Sequence, residues 1–296
     1  MKRISEIFSV FCAVSMLFAC DGPIDTPVVP SDEPETPAEP SQPSQPETPQ
    51  PDFESQFEKH VALWEFTGAW CANCPEGYTN MNFLLTASSL FTDIVHPMAF
   101  HSDYSGEDAL ALEGDVTDKI MMDLNIASLG FPSYIVDMSL GGSLVESVNL
   151  KTHLNQILED NVPYCGVAVS SSVASGSASV NVRLYSELNS VWRIAVYVVE
   201  DRVKYYQKDG MQEHESYTHR HVVRRIVSES YRGDRLGNGP VAASTEAEAS
   251  YDIPLDEAWN LDNTSIYVLA IDPQGCVNNM NHCQIDGGES DYRRNN

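Results

Sequence analysis

Apolar residues between positions 61 and 162 alternate between short continuous runs and helical spacing. The runs Val61–Phe66 and Asp93–Phe100 predict buried strands, although Pro97 interrupts the second. Apolar residues at helical spacing predict helices over Cys74–Leu90, about Thr117–Leu124 and a segment after Ser147. A Phe131-Pro132 step and a hairpin with its turn at Gly141-Gly142 precede the last helix. This alternation predicts an α/β layered domain over residues 53–162.

Beyond Pro163 the helical spacing disappears. Ser, Gly and Asn turns separate β-rich runs over Tyr164–Val173, Ser177–Tyr185, Val191–Asp201, His219–Ser228, Glu246–Ile253 and Thr264–Ile271. Strands at this spacing are typical of an immunoglobulin-like sandwich. Residues 163–296 are therefore predicted to form an all-β domain.

The N-terminus predicts a targeting segment over residues 1–19. Lys2 and Arg3 precede an apolar run, Ile7–Phe18, which is too short to span a bilayer as a helix. The run ends in Leu17-Phe18-Ala19-Cys20, which resembles a bacterial lipobox, in which the cysteine receives acyl chains such as palmitate and becomes the mature N-terminus. An ordinary secretory signal with a chance cysteine is the alternative. The lipobox interpretation predicts a lipid anchor on Cys20 at the outer membrane, on its periplasmic face or at the cell surface.

Residues 20–52 predict a disordered tether. They contain ten prolines, eight acidic residues and no Lys or Arg, so they cannot bury enough apolar surface to fold. The whole chain has a formal net charge of −26, which argues against nucleic acid as a partner because phosphate binding depends on Lys and Arg.

Two cysteines, Cys71 and Cys74, follow the first predicted strand at the start of the first predicted helix. Pro75 suits the first helical turn, and Glu76 complements the positive end of the helix dipole. A helix N-terminus stabilises a thiolate, so this pair is placed for dithiol–disulfide chemistry. A structural or vestigial disulfide is the alternative. Zinc is disfavoured because no second cysteine pair at metal spacing is present, and no cofactor is implied.

The order of elements, together with Trp70-Cys71-Ala72-Asn73-Cys74, resembles the thioredoxin family. The resemblance implies an α/β thioredoxin-like domain followed by the all-β domain. It also implies that Glu65 is a buried acid–base group and that Pro132 forms a cis peptide bond facing the dithiol. Ala72-Asn73 replaces the usual Gly-Pro pair, so the redox potential of the family cannot be transferred. The combination of lipobox, thioredoxin-like domain and β-domain resembles the twenty-eight-kilodalton outer membrane proteins of Bacteroidetes.

The remaining candidate groups favour structural roles. Cys165, Cys276 and Cys283 leave their pairing open: either the chain turns at Asn278-Asn279, or one of the last two pairs with Cys165. Five arginines at positions 220, 224, 225, 232 and 235 could bind an anion, but pairing with surface carboxylates is favoured. His219 and His221 would share one strand face, and His101 lies near Asp103, but neither pair has a clear third and fourth metal ligand.

The sequence therefore favours a membrane-anchored thiol–disulfide oxidoreductase acting on extracytoplasmic protein or peptide disulfides. Cys71 and Cys74 would be the redox pair, with Glu65 and Pro132 completing the catalytic site. An electron donor elsewhere in the envelope would be required. The alternative is a non-enzymatic surface binding module in which the Cys71–Cys74 disulfide is structural or vestigial and only stabilises a loop.

The lipobox assignment predicts that the mature protein begins at Cys20 and carries acyl chains. Intact-mass analysis of the membrane fraction should find that added mass, and Cys20→Ser should remove it and release the protein from membranes. The lipobox assignment is wrong if the natural protein has no acyl mass on Cys20.

Overall fold

The computed structural model describes residues 54–104, 108–145 and 148–295. The predicted signal peptide over 1–19, the lipidation site Cys20 and the tether over 20–52 lie outside the described residues, as do Phe53 and Ser147. Among the described residues, no helix is long and apolar enough to cross a bilayer.

The first half of the described chain contains the predicted alternation of strands and helices. Its elements are β1 (Val61–Thr67), α1 (Cys74–Thr86), α2 (Ser89–Ile94), β2 (Val95–His101), α3 (Val116–Asp123), β3 (Ser133–Val136), β4 (Leu140–Ser143) and α4 (Val148–Asp160). The predicted helix Cys74–Leu90 is two helices, because Ser88 begins a second one by accepting a hydrogen bond from the Phe91 backbone N–H at 3.4 Å.

The predicted hairpin exists, but its turn was misplaced. The turn residues are Asp137 and Met138, both with positive φ, and Ser139 N–H donates to Val136 O at 2.9 Å. These left-handed residues reverse the chain within the connection 137–139, between the paired residues Val136 and Leu140. Gly142 lies inside β4 instead, where an added Cβ would be 2.8 Å from the Tyr134 hydroxyl. Close packing on Tyr134, rather than a turn, therefore requires a glycine at this position.

The second half is rich in β-strands, as predicted. The strands are β5 (Cys165–Ala174), β6 (Ser177–Ser186), β7 (Arg193–Glu200), β8 (Val203–Asp209), β9 (Gln212–His219), β10 (Val222–Ile226), β11 (Asp234–Arg235), β12 (Thr245–Pro254), β13 (Thr264–Ile271), β14 (Val277–Gln284) and β15 (Glu289–Ser290). The longer strands β8, β9 and β14 were not predicted, because they are polar and have no clear apolar alternation.

A nine-stranded sheet runs through both halves in the order β14-β13-β7-β10-β2-β1-β3-β4, with β11 beside β7. β1 is parallel to β2, whereas β3 is antiparallel to β1 and β4 is antiparallel to β3. The two halves join where β10 lies parallel to β2, with Val222 opposite Ala99. Strands from both sides of the predicted boundary at residues 162/163 therefore share one sheet. Independent folding of residues 53–162 and 163–296 stays a prediction.

Apolar side chains cover both faces of this sheet. On one face, Val61 and Leu63 of β1 pack with residues of α1 and α4 such as Met81 and Leu154. On the other face, β1 contributes Trp64 and Phe66 to a cluster that includes α3. A four-stranded sheet, β12-β6-β5-β15, packs through a third cluster on β7 and β13. The second half is thus a two-layered β structure that shares one of its layers with the α/β half.

A buried ion pair connects the start of β1 with the β3–β4 turn. Lys59 Nζ lies 2.7 Å from Asp137 Oδ2, and the lysine and aspartate side chains are 7% and 0% exposed. Lys59 also donates to the carbonyl oxygens of Val277 and Asn278, and Asp137 Oδ1 accepts the Ala62 backbone N–H at 2.8 Å. These bonds tie β1, the hairpin turn and β14 together, although burial still raises the pKa of Asp137 above its ordinary value.

We expect Lys59→Met to lower the free energy of unfolding by about 3–5 kcal/mol, because it leaves a buried carboxylate without its counter-charge. Chemical denaturation of the soluble protein would measure this loss. Lys151→Met on the exposed side of α4 is the matched control and should change stability little. Equal effects of the two substitutions would contradict a structural role for the buried pair.

Candidate redox site at Cys71 and Cys74

The loop between β1 and α1 brings the two cysteines to the N-terminus of α1. Trp70 folds back over Gly68, where an added Cβ would lie 2.6 Å from the indole nitrogen, so this turn requires a glycine. The Trp70 indole N–H donates to Ser102 O at 2.8 Å, which fixes the loop to the segment after β2. Pro75 and Glu76 occupy the first turn of α1, as predicted.

Cys71 and Cys74 form a disulfide with a Cα–Cα distance of 5.4 Å. Cys71 is 5% exposed and Cys74 is 2% exposed, so both sulfur-bearing residues are largely covered. The other described cysteines, Cys165, Cys276 and Cys283, are free thiols, and both predicted pairing alternatives for them were wrong. Burial raises their pKa values, to about 11 for Cys283, which makes these thiols poor nucleophiles near neutral pH.

Glu65 lies on β1 with its side chain buried. Burial raises the pKa of this carboxyl group from an ordinary value of 4.5 to about 8. Glu65 and Cys74 line the same cavity of about 20 Å³, together with Tyr78, His101 and Gln207. This volume is large enough for about one water molecule. A carboxyl group that can gain or lose a proton near neutral pH therefore shares this cavity with Cys74.

Pro132 lies against the first turns of α1. The Phe131–Pro132 peptide bond is cis, as predicted. A Cβ added at Gly77 of α1 would lie 2.5 Å from Pro132 Cγ, so the proline ring packs directly on the helix. The Phe131 ring lies edge-on to Trp70 with a centroid distance of 5.3 Å. The predicted site residues therefore lie near the C-terminal end of β1 and the first turns of α1. They are Cys71, Cys74, Glu65 and Pro132.

A histidine–aspartate pair beside the cavity was only partly anticipated. His101 Nδ1 lies 2.8 Å from Asp108 Oδ2, so the partner is Asp108 rather than the nearby Asp103. Asp108 Oδ2 also accepts the Ala69 backbone N–H at 2.6 Å. Burial alone would raise the pKa of Asp108, but the hydrogen bonds from His101 and the backbone hold it below its usual value. The pair fixes the loop that carries Cys71.

The β8–β9 hairpin, which was not predicted, lies against the loop that carries the two cysteines. The Gln207 carboxamide donates to Cys71 O at 3.0 Å and to Gly68 O at 3.3 Å. The turn residues are Gly210 and Met211, and the glycine with positive φ at the first turn position was the available sequence signal. No signal in the sequence indicated that this hairpin would contact a loop more than 130 residues earlier.

The other candidate clusters form no common site. Arg220 pairs with Asp201 at 2.9 Å and Arg224 with Glu200 at 3.4 Å, as expected for arginines in an acidic protein. His219 ends β9, whereas His221 lies between strands with φ of 53°, so the prediction that they share one strand face was wrong. Within the described ranges, no group of three or more His, Cys, Asp or Glu residues is arranged to hold a metal ion.

The fold and site thus define an α/β and β-rich protein with a Cys-x-x-Cys disulfide at a helix N-terminus. Residues 121–287 match the family described as outer membrane protein Omp28, and the chain belongs to that family. The match includes Pro132 but begins after Glu65, Cys71 and Cys74. No match was found among the curated proteins.

Among solved structures, the fold is similar to HBP35 of Porphyromonas gingivalis. The two share 17% sequence identity with a TM-score of 0.65, over 78% of this chain and 77% of that chain. At this identity the likeness concerns the fold. Membership of the Omp28 family places the protein in the class of bacterial outer membrane proteins.

We expect Glu65→Gln to change how stability depends on pH. In the folded protein Glu65 keeps its proton up to about pH 8, whereas an exposed glutamate loses it near 4.5. Between these values the folded state binds more protons, so the natural protein loses stability as pH rises, by up to about 1.4 kcal/mol per pH unit. Glutamine removes this loss, so the stability of the variant relative to the natural protein should increase from pH 5 to pH 8.

Urea denaturation at both pH values would measure the difference. Glu159→Gln, at an exposed position of α4, is the control and should follow the natural protein. If Glu65→Gln also follows the natural protein at both pH values, Glu65 does not have the raised pKa.

Proposed function

We propose that the protein is a membrane-anchored thiol–disulfide oxidoreductase with a thioredoxin-like α/β half. The observation that carries the proposal is the position of the Cys71–Cys74 disulfide at the N-terminus of α1, beside the buried Glu65. A helix N-terminus stabilises a thiolate, and a carboxyl group with a pKa of about 8 can exchange a proton with Cys74 near neutral pH.

The arrangement of the α/β half supports the thioredoxin-like assignment. The strand order β2-β1-β3-β4, with β1 parallel to β2 and the other two strands antiparallel, fits the predicted succession of elements. The cis bond before Pro132 and the packing of that residue on α1 agree with the same assignment. These features support the fold, whereas the redox potential depends on Ala72-Asn73 and on the cover provided by the hairpin.

In the reducing direction, the Cys71 thiolate attacks one sulfur of a substrate disulfide, and the first substrate thiolate leaves. Glu65 takes the proton from the Cys74 thiol, through the water-sized cavity that both residues line. The Cys74 thiolate then attacks Cys71 Sγ, forms the Cys71–Cys74 disulfide and releases the second substrate thiolate. The substrate gains two electrons, and a dithiol donor in the envelope must return two electrons to the protein.

The location of this activity is proposed from the N-terminus and the family. Acylation of Cys20 would anchor the chain to the outer membrane, and residues 20–52 would hold the folded part away from the surface. The substrates would be extracytoplasmic protein or peptide disulfides. Neither a metal ion nor another cofactor is required for this exchange.

A non-enzymatic binding module is the second candidate, and one observation favours it. Cys71 and Cys74 are 5% and 2% exposed, so the disulfide is covered as a structural disulfide would be. In that case Cys71–Cys74 would only stabilise the loop before α1, and the β-rich half would bind the partner.

The equilibrium reduction potential of Cys71–Cys74 separates the two candidates. Differential alkylation and peptide mass mapping in graded redox buffers would follow this pair apart from the three free thiols. Exchange catalysts have potentials between about −120 and −270 mV, and we expect a value in this range. A value below about −300 mV would identify a structural disulfide and contradict the proposed activity.

The Cys71→Ser variant tests the assignment of the nucleophile. It should abolish reduction of a peptide disulfide and leave Cys74 as a free thiol, while Cys165→Ser, at a buried free thiol, is the control and should keep the activity. Unchanged reduction by Cys71→Ser would show that Cys71 is not the attacking residue.

A further inference from the structure

The β8–β9 hairpin, Val203–His219, forms a two-stranded sheet of its own. Among the described strands, β8 and β9 pair only with each other. Its base is held by Asp201, which precedes β8, because Arg220 after β9 donates to Asp201 Oδ2 at 2.9 Å. The hairpin is therefore fixed at its base and lies outside the two larger sheets.

The outer part of the hairpin is bonded to the loop that carries the dithiol. Lys208 N–H donates to Ala69 O and Gly210 N–H donates to Ala72 O, both at 2.8 Å. The Gln207 carboxamide adds its bonds to the carbonyl oxygens of Gly68 and Cys71. These contacts occupy carbonyl groups on both sides of Cys71.

The hairpin also lines the cavity at Cys74. Gln207, Tyr217 and His219 of the hairpin line the same cavity as Glu65 and Cys74. A thiolate must approach Cys71 Sγ in line with the disulfide bond, and the small exposed fraction of Cys71 leaves little room for a polypeptide substrate. Because the hairpin is bonded to the Cys71 loop and lines the cavity at Cys74, its movement would make more room for a protein disulfide at these residues.

On physical grounds the hairpin should open more easily than the core strands. An isolated two-stranded sheet is marginally stable in water, and most residues of β9 are exposed or only half-buried. Segments with few buried apolar contacts open at a lower free energy than core strands such as β7, which is almost fully buried.

We propose that the hairpin Val203–His219 is a gate over the Cys71–Cys74 disulfide, and that an extended substrate segment opens it by replacing its backbone hydrogen bonds to Ala69 and Ala72. The gate's role in selecting substrates rests on the proposed oxidoreductase function. The effect of the gate on access to the disulfide does not depend on that function. Because an extended chain can offer backbone N–H groups in a row, the gate favours unfolded segments over folded proteins.

The rate at which dithiothreitol reduces Cys71–Cys74 tests the gate directly. Dithiothreitol is oxidised to its cyclic disulfide as Cys71–Cys74 is reduced to two thiols, so the electrons balance without another partner. Gln207→Ala removes the side-chain bonds to the dithiol loop and should raise the second-order rate constant about five-fold, which corresponds to about 1 kcal/mol. Gln212→Ala changes an exposed glutamine of the same hairpin and should leave the rate within about two-fold.

Equal rate constants for Gln207→Ala and the natural protein would overturn the gate. Amide hydrogen exchange on the natural protein gives a second measurement that does not depend on a variant. Peptides covering Lys208 and Gly210 should exchange faster than peptides from β7, and adding an unfolded peptide should speed reduction. The gate is also wrong if the hairpin exchanges as slowly as β7 while dithiothreitol reduces the disulfide rapidly.

The two proposals can fail separately. A reduction potential below about −300 mV together with faster reduction of Gln207→Ala would retain the gate and reject the oxidoreductase. A potential in the catalytic range with unchanged rates for Gln207→Ala would retain the oxidoreductase and reject the gate.

Discussion

The pairing of β10 with β2 connects the α/β half with the β-rich half and determines what lies over the dithiol. Ala99 N–H donates to His221 O at 2.7 Å, and Val222 begins β10 opposite Ala99, near the carboxyl end of β2. Because β1 is parallel to β2, the carboxyl end of β1, from which the chain continues to Cys71, lies at the same edge of the sheet. The hairpin that ends immediately before β10 is therefore delivered to the loop that carries the two cysteines.

Burial at this edge has two opposing effects. It raises the pKa of Glu65 to about 8, which suits proton exchange near neutral pH, but it makes the ionised carboxylate unfavourable in the folded state. A protein without use for such a group would be more stable with an apolar side chain there. Titratable groups with strongly shifted pKa values are concentrated at functional sites, so the raised pKa of Glu65 supports the proposed exchange reaction at Cys74.

The dithiol and its immediate support were predictable because their signals are local. Cys71, Cys74 and Pro75 are separated by fixed short spacings, whereas Glu65 was expected only from the resemblance to thioredoxins. The hairpin turn at Asp137 and Met138 was not predictable, since Gly141-Gly142 offered a stronger turn signal but is needed for packing against Tyr134. Tertiary packing here determined the use of the glycines.

The cover over the dithiol could not be derived from sequence for a different reason. Gln207 and Lys208 belong to a polar hairpin whose position depends on the pairing of β10 with β2, a contact between distant parts of the chain. The Omp28 match spans residues 121–287 and so contains the hairpin but not Cys71 or Cys74. Membership of the family therefore indicates an outer membrane protein. It gives no information on the proposed exchange reaction, which would take place in the loop before α1. The hydrogen bonds from Gln207, Lys208 and Gly210 join these two parts of the chain, and they are the bonds that the proposed gate would break when it opens.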